Sequence, residues 1–123
     1  MMDLLFTPAA YAQLFRNHIR LQVPARGIVL EQTATFSHPR MLLGDFNIAE
    51  ACLGALLKKA YPSRLLPARP LLVMHPCELL EGGLSKLEER ALTELGLGAG
   101  AREVRLWTGA PLDADALERL LAG

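Results

Sequence analysis

Residues 71–107 read LLVMHPCELLEGGLSKLEERALTELGLGAGAREVRLW, and this stretch decides the fold. Leu71-Leu72-Val73-Met74 is a continuous apolar run, the pattern of a strand covered on both faces. Gly82-Gly83 breaks the chain. Ser85 with Glu88 forms a capping box, in which a hydroxyl and a carboxylate each satisfy an orphan backbone N–H, and it stands ahead of Leu87, Ala91, Leu92 and Leu95 at helical spacing. A helix over 85–96 follows. Gly96, Gly98 and Gly100 end it by supplying a positive-φ stop, and Val104, Leu106 and Trp107 form a short strand. Strand, helix and strand at this length make a βαβ unit, whose two strands run parallel through a right-handed crossover.

Upstream, Pro62, Pro67 and Pro70 hold an extended connection. Before it, Asn47 followed by Glu50 is a capping-box variant ahead of Ile48, Cys52, Leu56 and Leu57. Lys58 and Lys59 lie where cations suit the negative end of a helix dipole, so the pattern predicts a helix over 48–60. From His18 to Val23 apolar and polar residues alternate, with Ile19, Leu21 and Val23 on one side, as in a half-buried strand. Pro24 to Gly27 supplies a turn, and Ile28 to Leu30, continued by Thr33, Thr35 and Phe36, returns beside the first as a strand or a bent strand pair. Pro8 to Arg16 places Tyr11, Leu14 and Phe15 at helix-like spacing, yet suits a strand equally. Downstream, Pro111 and Asp113 open a last helix carrying Leu117, Leu120 and Leu121. The expected order is ββ(β)αβαβα, an α/β fold in one domain over 1–123.

Composition narrows the function. The chain has 123 residues, of which 51% are hydrophobic, enough apolar material for a real core. Thirteen Lys and Arg balance thirteen Asp and Glu, so net charge provides no long-range attraction for nucleic acid or anionic lipid. Charges and prolines interrupt every apolar run short of a membrane span, and no signal-peptide pattern opens the sequence, which leads to the expectation of a cytoplasmic protein. Cys52 and Cys77 lack any companion ligand at zinc spacing and read as small buried hydrophobes.

Few residues promise chemistry. No phosphate-cradling glycine loop follows a strand. His18, His38 and His75 sit in separate segments without a partner at ligand spacing, so neither a metal nor a cofactor is expected. His75-Pro76-Cys77-Glu78 follows the end of a buried strand, where open α/β sheets place ligand crevices, and Asp45 stands just ahead of the first helix. Together Asp45, His75 and Cys77 form an alternative reading, a small cytoplasmic enzyme, although Asp45 also suits a helix-entry acceptor. Trp107 serves as a core plug or as a contact anchor.

Several segments resemble the bacterial actin family of rod-shape-determining, MreB-like proteins. Arg26-Gly27-Ile28-Val29-Leu30-Glu31 is similar to that family's K-G-I-V-L-N, and Leu43 to Ala51, reading LGDFNIAEA, to its I-A-D-F-x-V-T-E-A. Pro70 to Pro76 resembles P-R-V-V-I-C-V-P, Leu87 to Ala91 resembles V-E-x-R-A, and Gly100 to Leu106 resembles G-A-R-E-V-Y-L-I. The segments keep the family's order across residues 26–107. The resemblance implies an RNase H-like mixed sheet with flanking helices, and the departures from it imply lost ATPase chemistry. Where the family's D-L-G-T-x-N turn holds ATP phosphates, this chain has Gln13-Leu14-Phe15-Arg16-Asn17-His18. Where the family has E-E-P, it has Trp107-Thr108-Gly109-Ala110-Pro111. It also resembles only most of the first of the family's two lobes.

The expectation is therefore a non-catalytic actin-like domain, a pseudo-ATPase acting through protein contacts in a cell-shape, filament or pilus-type assembly, with a homodimer as the simplest closed form. Helices 48–60 and 113–121 carry apolar residues around more than one face, which nominates Leu53, Leu57 and Leu120 as contact residues, joined by Trp107 as the strand-end anchor.

Overall fold

The structure is a computed structural model that describes residues 9–62, 69–78 and 82–122. His18–Val23 forms strand β2, with every second residue buried. It lies between β1 (Ala9–Phe15) and β3 (Ile28–Thr33), antiparallel to both. The open question over Pro8 to Arg16 resolves as a strand over Ala9–Phe15, with Pro8 outside the described residues. Ala10 to Leu14 are buried without alternation because β1 is the middle strand and both its faces are covered. The β1–β2 turn is two residues long, and Asn17 takes the positive φ of 55° that such a turn needs. Its Oδ1 accepts from the backbone N–H groups of Phe36 and Ser37, which ties the segment after β3 back onto the turn. Between β2 and β3 a short 3-10 turn over Pro24–Arg26 closes on Gly27 in the left-handed conformation.

Helix α1 spans Phe46–Ala60, and its N-cap is Asp45, whose Oδ1 accepts from the Ile48 N–H at 3.1 Å. The expected Asn47–Glu50 box is not the cap; the shorter reach from Asp45 starts the helix two residues earlier. Strand β4 (Leu71–Pro76) is buried along its whole length. Helix α2 (Lys86–Ala99) opens on the capping box read from the sequence, with the Ser85 hydroxyl accepting from the Glu88 N–H while the Glu88 carboxylate accepts from the Ser85 N–H. It runs past the expected stop at Gly96 and ends at Gly100, whose φ is 125°. Gly96 is a packing glycine: a Cβ there would lie 2.5 Å from Val104 Cγ2. Strand β5 (Glu103–Leu106) follows, then helix α3 (Ala114–Ala122), with Asp113 Oδ1 accepting from the Ala116 N–H.

The five strands form one mixed sheet in the order β3-β2-β1-β4-β5, with β4 parallel to both β1 and β5. The expected parallel β4–β5 pair is present, in the register Leu71↔Glu103 to Met74↔Leu106. Alternate residues of the sheet, including Ala10, Ala12, Leu14, Ile19, Leu21, Leu72 and Met74, pack with α1 and α2 into the main core. The opposite face carries a smaller cluster of Tyr11, Val73 and Leu117, flanked by Trp107, Leu112, Leu120 and Leu121.

Two of the nominated contact residues belong to the interior. Leu53 is 0% and Leu57 5% exposed. Apart from Ile48, which is 39% exposed, the apolar width of α1 that suggested a second, free face is used up because the helix packs on the sheet and on α2 at once. Trp107 and Leu120 are half-buried on the α3 side. Among the described residues no helix is long and apolar enough to cross a membrane.

Candidate functional site

The parallel β1–β4 pair brings together residues far apart in sequence. Its register sets Tyr11 opposite Val73 and Gln13 opposite His75, so Tyr11, Gln13 and His75 share the sheet face that carries α3. His75 is 2% exposed and Gln13 5%, and a buried polar group must find a partner. His75 Nε2 lies 3.1 Å from the Gly109 carbonyl, which can only accept, so that nitrogen carries the proton. Nδ1 then accepts from the Tyr11 hydroxyl. The same hydroxyl oxygen accepts from the Leu112 N–H at 3.1 Å. The result is a continuous chain, Leu112 N–H to Tyr11 O–H to neutral His75 to Gly109 C=O, which fastens residues 109–112 to the sheet ahead of α3. Burial lowers the His75 pKa, opposed by its bond to Gly109, and burial raises that of Tyr11. Both shifts favour the neutral pair.

At the other end of α3, the Arg105 guanidinium donates to the carbonyls of Leu120 and Leu121, each at 3.3 Å. These are C-terminal carbonyls left without intrahelical partners, and a cation suits them.

The residues considered for catalysis all have structural duties. Both His75 nitrogens are engaged, leaving no free base. Burial pushes the Cys77 thiol up, and Glu78 adds to the effect. The thiol donates to the His75 carbonyl at 3.3 Å, so it is held as a poor nucleophile at neutral pH. Asp45 caps α1. Glu78 accepts from the Arg16 N–H in the β1–β2 turn, and the Arg16 guanidinium donates to the carbonyls of His38 and Pro39. His18 pairs with Glu31 at 2.7 Å across β2 and β3. Among the described residues no group of three His, Cys, Asp or Glu side chains could hold a metal ion.

A groove of about 230 Å³ opens between the first turn of α3 and the β2–β3 hairpin, lined by Tyr11, Gln22, Ile28, Val29, Leu112 and Leu117 among others. Its walls are mainly apolar, with Tyr11, Gln22 and Asp113 as the polar residues of the lining. Sequence reasoning singled out His75 but missed Tyr11 and Gly109. The available signal was a tyrosine and a histidine on strands that need partners for buried polar groups.

Fold and site define a small α/β protein whose described residues form a five-stranded mixed sheet and three α-helices. No family model matches the chain. It is 34% identical over 100 residues to the uncharacterized protein YjaA of Escherichia coli (strain K12), an alignment covering 77% of this chain and 79% of that protein. The chain belongs to the same family as YjaA.

Proposed function

We propose that this protein is a non-catalytic, MreB-like domain with an RNase H-like layout, working in the cytoplasm through protein contacts, in an assembly of the cell-shape, filament or pilus type. The observation that carries the reading is the occupied β1–β2 turn. In an actin-like ATPase the backbone N–H groups of that turn face nucleotide phosphates. Here the Arg16 N–H is already taken by the Glu78 carboxylate, and Phe15 and Arg16 stand where the family's glycine and threonine leave room for the phosphate. A phosphate would have to displace a carboxylate of this same chain and lie beside its negative charge. The strand order β3-β2-β1-β4-β5, with two helices on one face and one on the other, supports the layout, and two unpaired cysteines suit a reducing compartment.

Calorimetric titration with MgATP tests the reading. The expected result is no saturable heat up to millimolar nucleotide and no phosphate release. Micromolar affinity, or turnover above a boiled control, would overturn it.

A further inference from the structure

The two edges of the sheet are finished differently. β5 is four residues long and carries Glu103 and Arg105, which pair with each other at 3.3 Å. Short length and charge are the means by which sheet edges resist pairing with another chain. β3 has neither. It runs six residues, Ile28–Thr33, without proline or lysine, and pairs with β2 in unbroken register from Val23↔Ile28 to His18↔Thr33, so no bulge turns it aside. Its one charge, Glu31, is engaged by His18. Val29 stands 50% exposed beside the groove. Among the described residues no backbone group pairs with the outer edge of β3.

An unbulged strand, apolar over Ile28 to Leu30, with an unpaired row of N–H and C=O groups has another strand as its complement. We propose that β3 is a dimerisation edge, to which a second copy of this chain adds its own β3 antiparallel across a two-fold axis, joining two five-stranded sheets into one. The inference rests on the protein-contact reading above and names its partner. An antiparallel edge is complementary to itself under a two-fold, and the charges along the strand permit it. With the axis at Leu30, the two Leu30 side chains face each other, Val29 meets the partner's Glu31, and Ile28 meets the partner's Gln32. An axis at Glu31 would set two carboxylates opposite one another and is disfavoured. Equal numbers of acidic and basic residues leave no net repulsion between copies. A strand of this length spans about 20 Å, which buries less than the ~1,000 Å² of a stable interface. The dimer is accordingly weak and dependent on concentration.

Sedimentation velocity of the full chain from low micromolar to millimolar concentration, paired with amide hydrogen exchange, tests this. Association is expected to set in across that range, with exchange at residues 28–33 slowing at least tenfold as concentration rises. A strict monomer throughout, or a dimer whose residues 28–33 exchange as in the monomer, overturns the proposal. Val29→Pro and Gln32→Pro add a second arm, because N–H groups three residues apart on a strand point to opposite edges. The variant that keeps the wild-type circular dichroism and melting temperature has lost an outward N–H and is expected to stay monomeric; if it associates like wild type, the β3 edge is refuted. Should both variants misfold, the wild-type exchange data decide alone. MgATP titration of the same samples separates the two readings: loss of the dimer without nucleotide binding removes only the edge, whereas micromolar nucleotide binding removes the non-catalytic reading whatever the association state.

Discussion

Replacing Tyr11 with Phe deletes one oxygen and leaves two groups stranded. The ring stays, so packing against Val73 and Leu117 is kept. The Leu112 N–H loses its acceptor and His75 Nδ1 loses its donor. An unsatisfied buried polar group costs about 1–3 kcal/mol. His75 is buried and bears the upper part of that range, whereas the Leu112 N–H lies nearer the surface, where water can replace the hydroxyl. The sum comes to about 2–4 kcal/mol, which for a domain of this size lowers the melting temperature by roughly 10 °C. Urea unfolding at neutral pH followed by circular dichroism measures it, with hydrogen exchange locating the effect at residues 109–112. Tyr61→Phe is the control: its hydroxyl reaches the Ala9 carbonyl only at 3.4 Å, so its loss is expected to cost less than about 1 kcal/mol. Equal losses in the two variants, or a Tyr11→Phe loss below about 0.5 kcal/mol, would refute the reasoning.

The same chain of hydrogen bonds makes stability depend on acid. Because burial holds the His75 pKa below its ordinary value of 6.5, the unfolded chain binds a proton before the folded one does. His75 then contributes fully above pH about 6.5, and stability falls as pH drops below that point toward the folded-state value; unfolding free energies measured from pH 7.5 downward should show this slope in wild type and a shallower one in His75→Gln. Gly96→Ala should destabilise by about 1–3 kcal/mol through overpacking against Val104 and Leu72, despite the higher helix propensity of alanine. Val104→Ala in the same chain should recover most of the loss in thermal melts.

Where local chemistry decides the structure, it could be read directly. Ser85 and Glu88 both act within one turn, and the β2 alternation reports a strand with one wet face. Glycine was ambiguous because it has two uses. Gly96 and Gly98 resembled a helix stop, but α2 continues through Gly96, which is small so that β5 can approach. β1 gave no alternation because the central strand is buried on both sides, and the spacing of Tyr11, Leu14 and Phe15 suits a helix as well as a strand. The Tyr11–His75 contact spans 64 residues and exists only through the β1–β4 register. No spacing along the chain encodes it. Leu53 and Leu57 were misplaced for a related reason: a helix wedged between a sheet and a second helix needs a wide apolar face, which on sequence alone is the same as a face awaiting a partner.

The strand order also governs how the chain must fold. β1 is made before any other described strand, yet it ends at the centre of the sheet, and its second neighbour begins only at Leu71. During synthesis the β1–β2–β3 meander can close early from local contacts, but one edge of β1 stays open until β4 emerges. Non-local parallel pairing of this kind slows folding, because a long loop must be ordered before any contact rewards it. The open edge is meanwhile available to other nascent chains. Swapping the order of synthesis by circular permutation, so that β4 precedes β1, should leave the native sheet unchanged while shortening that vulnerable interval.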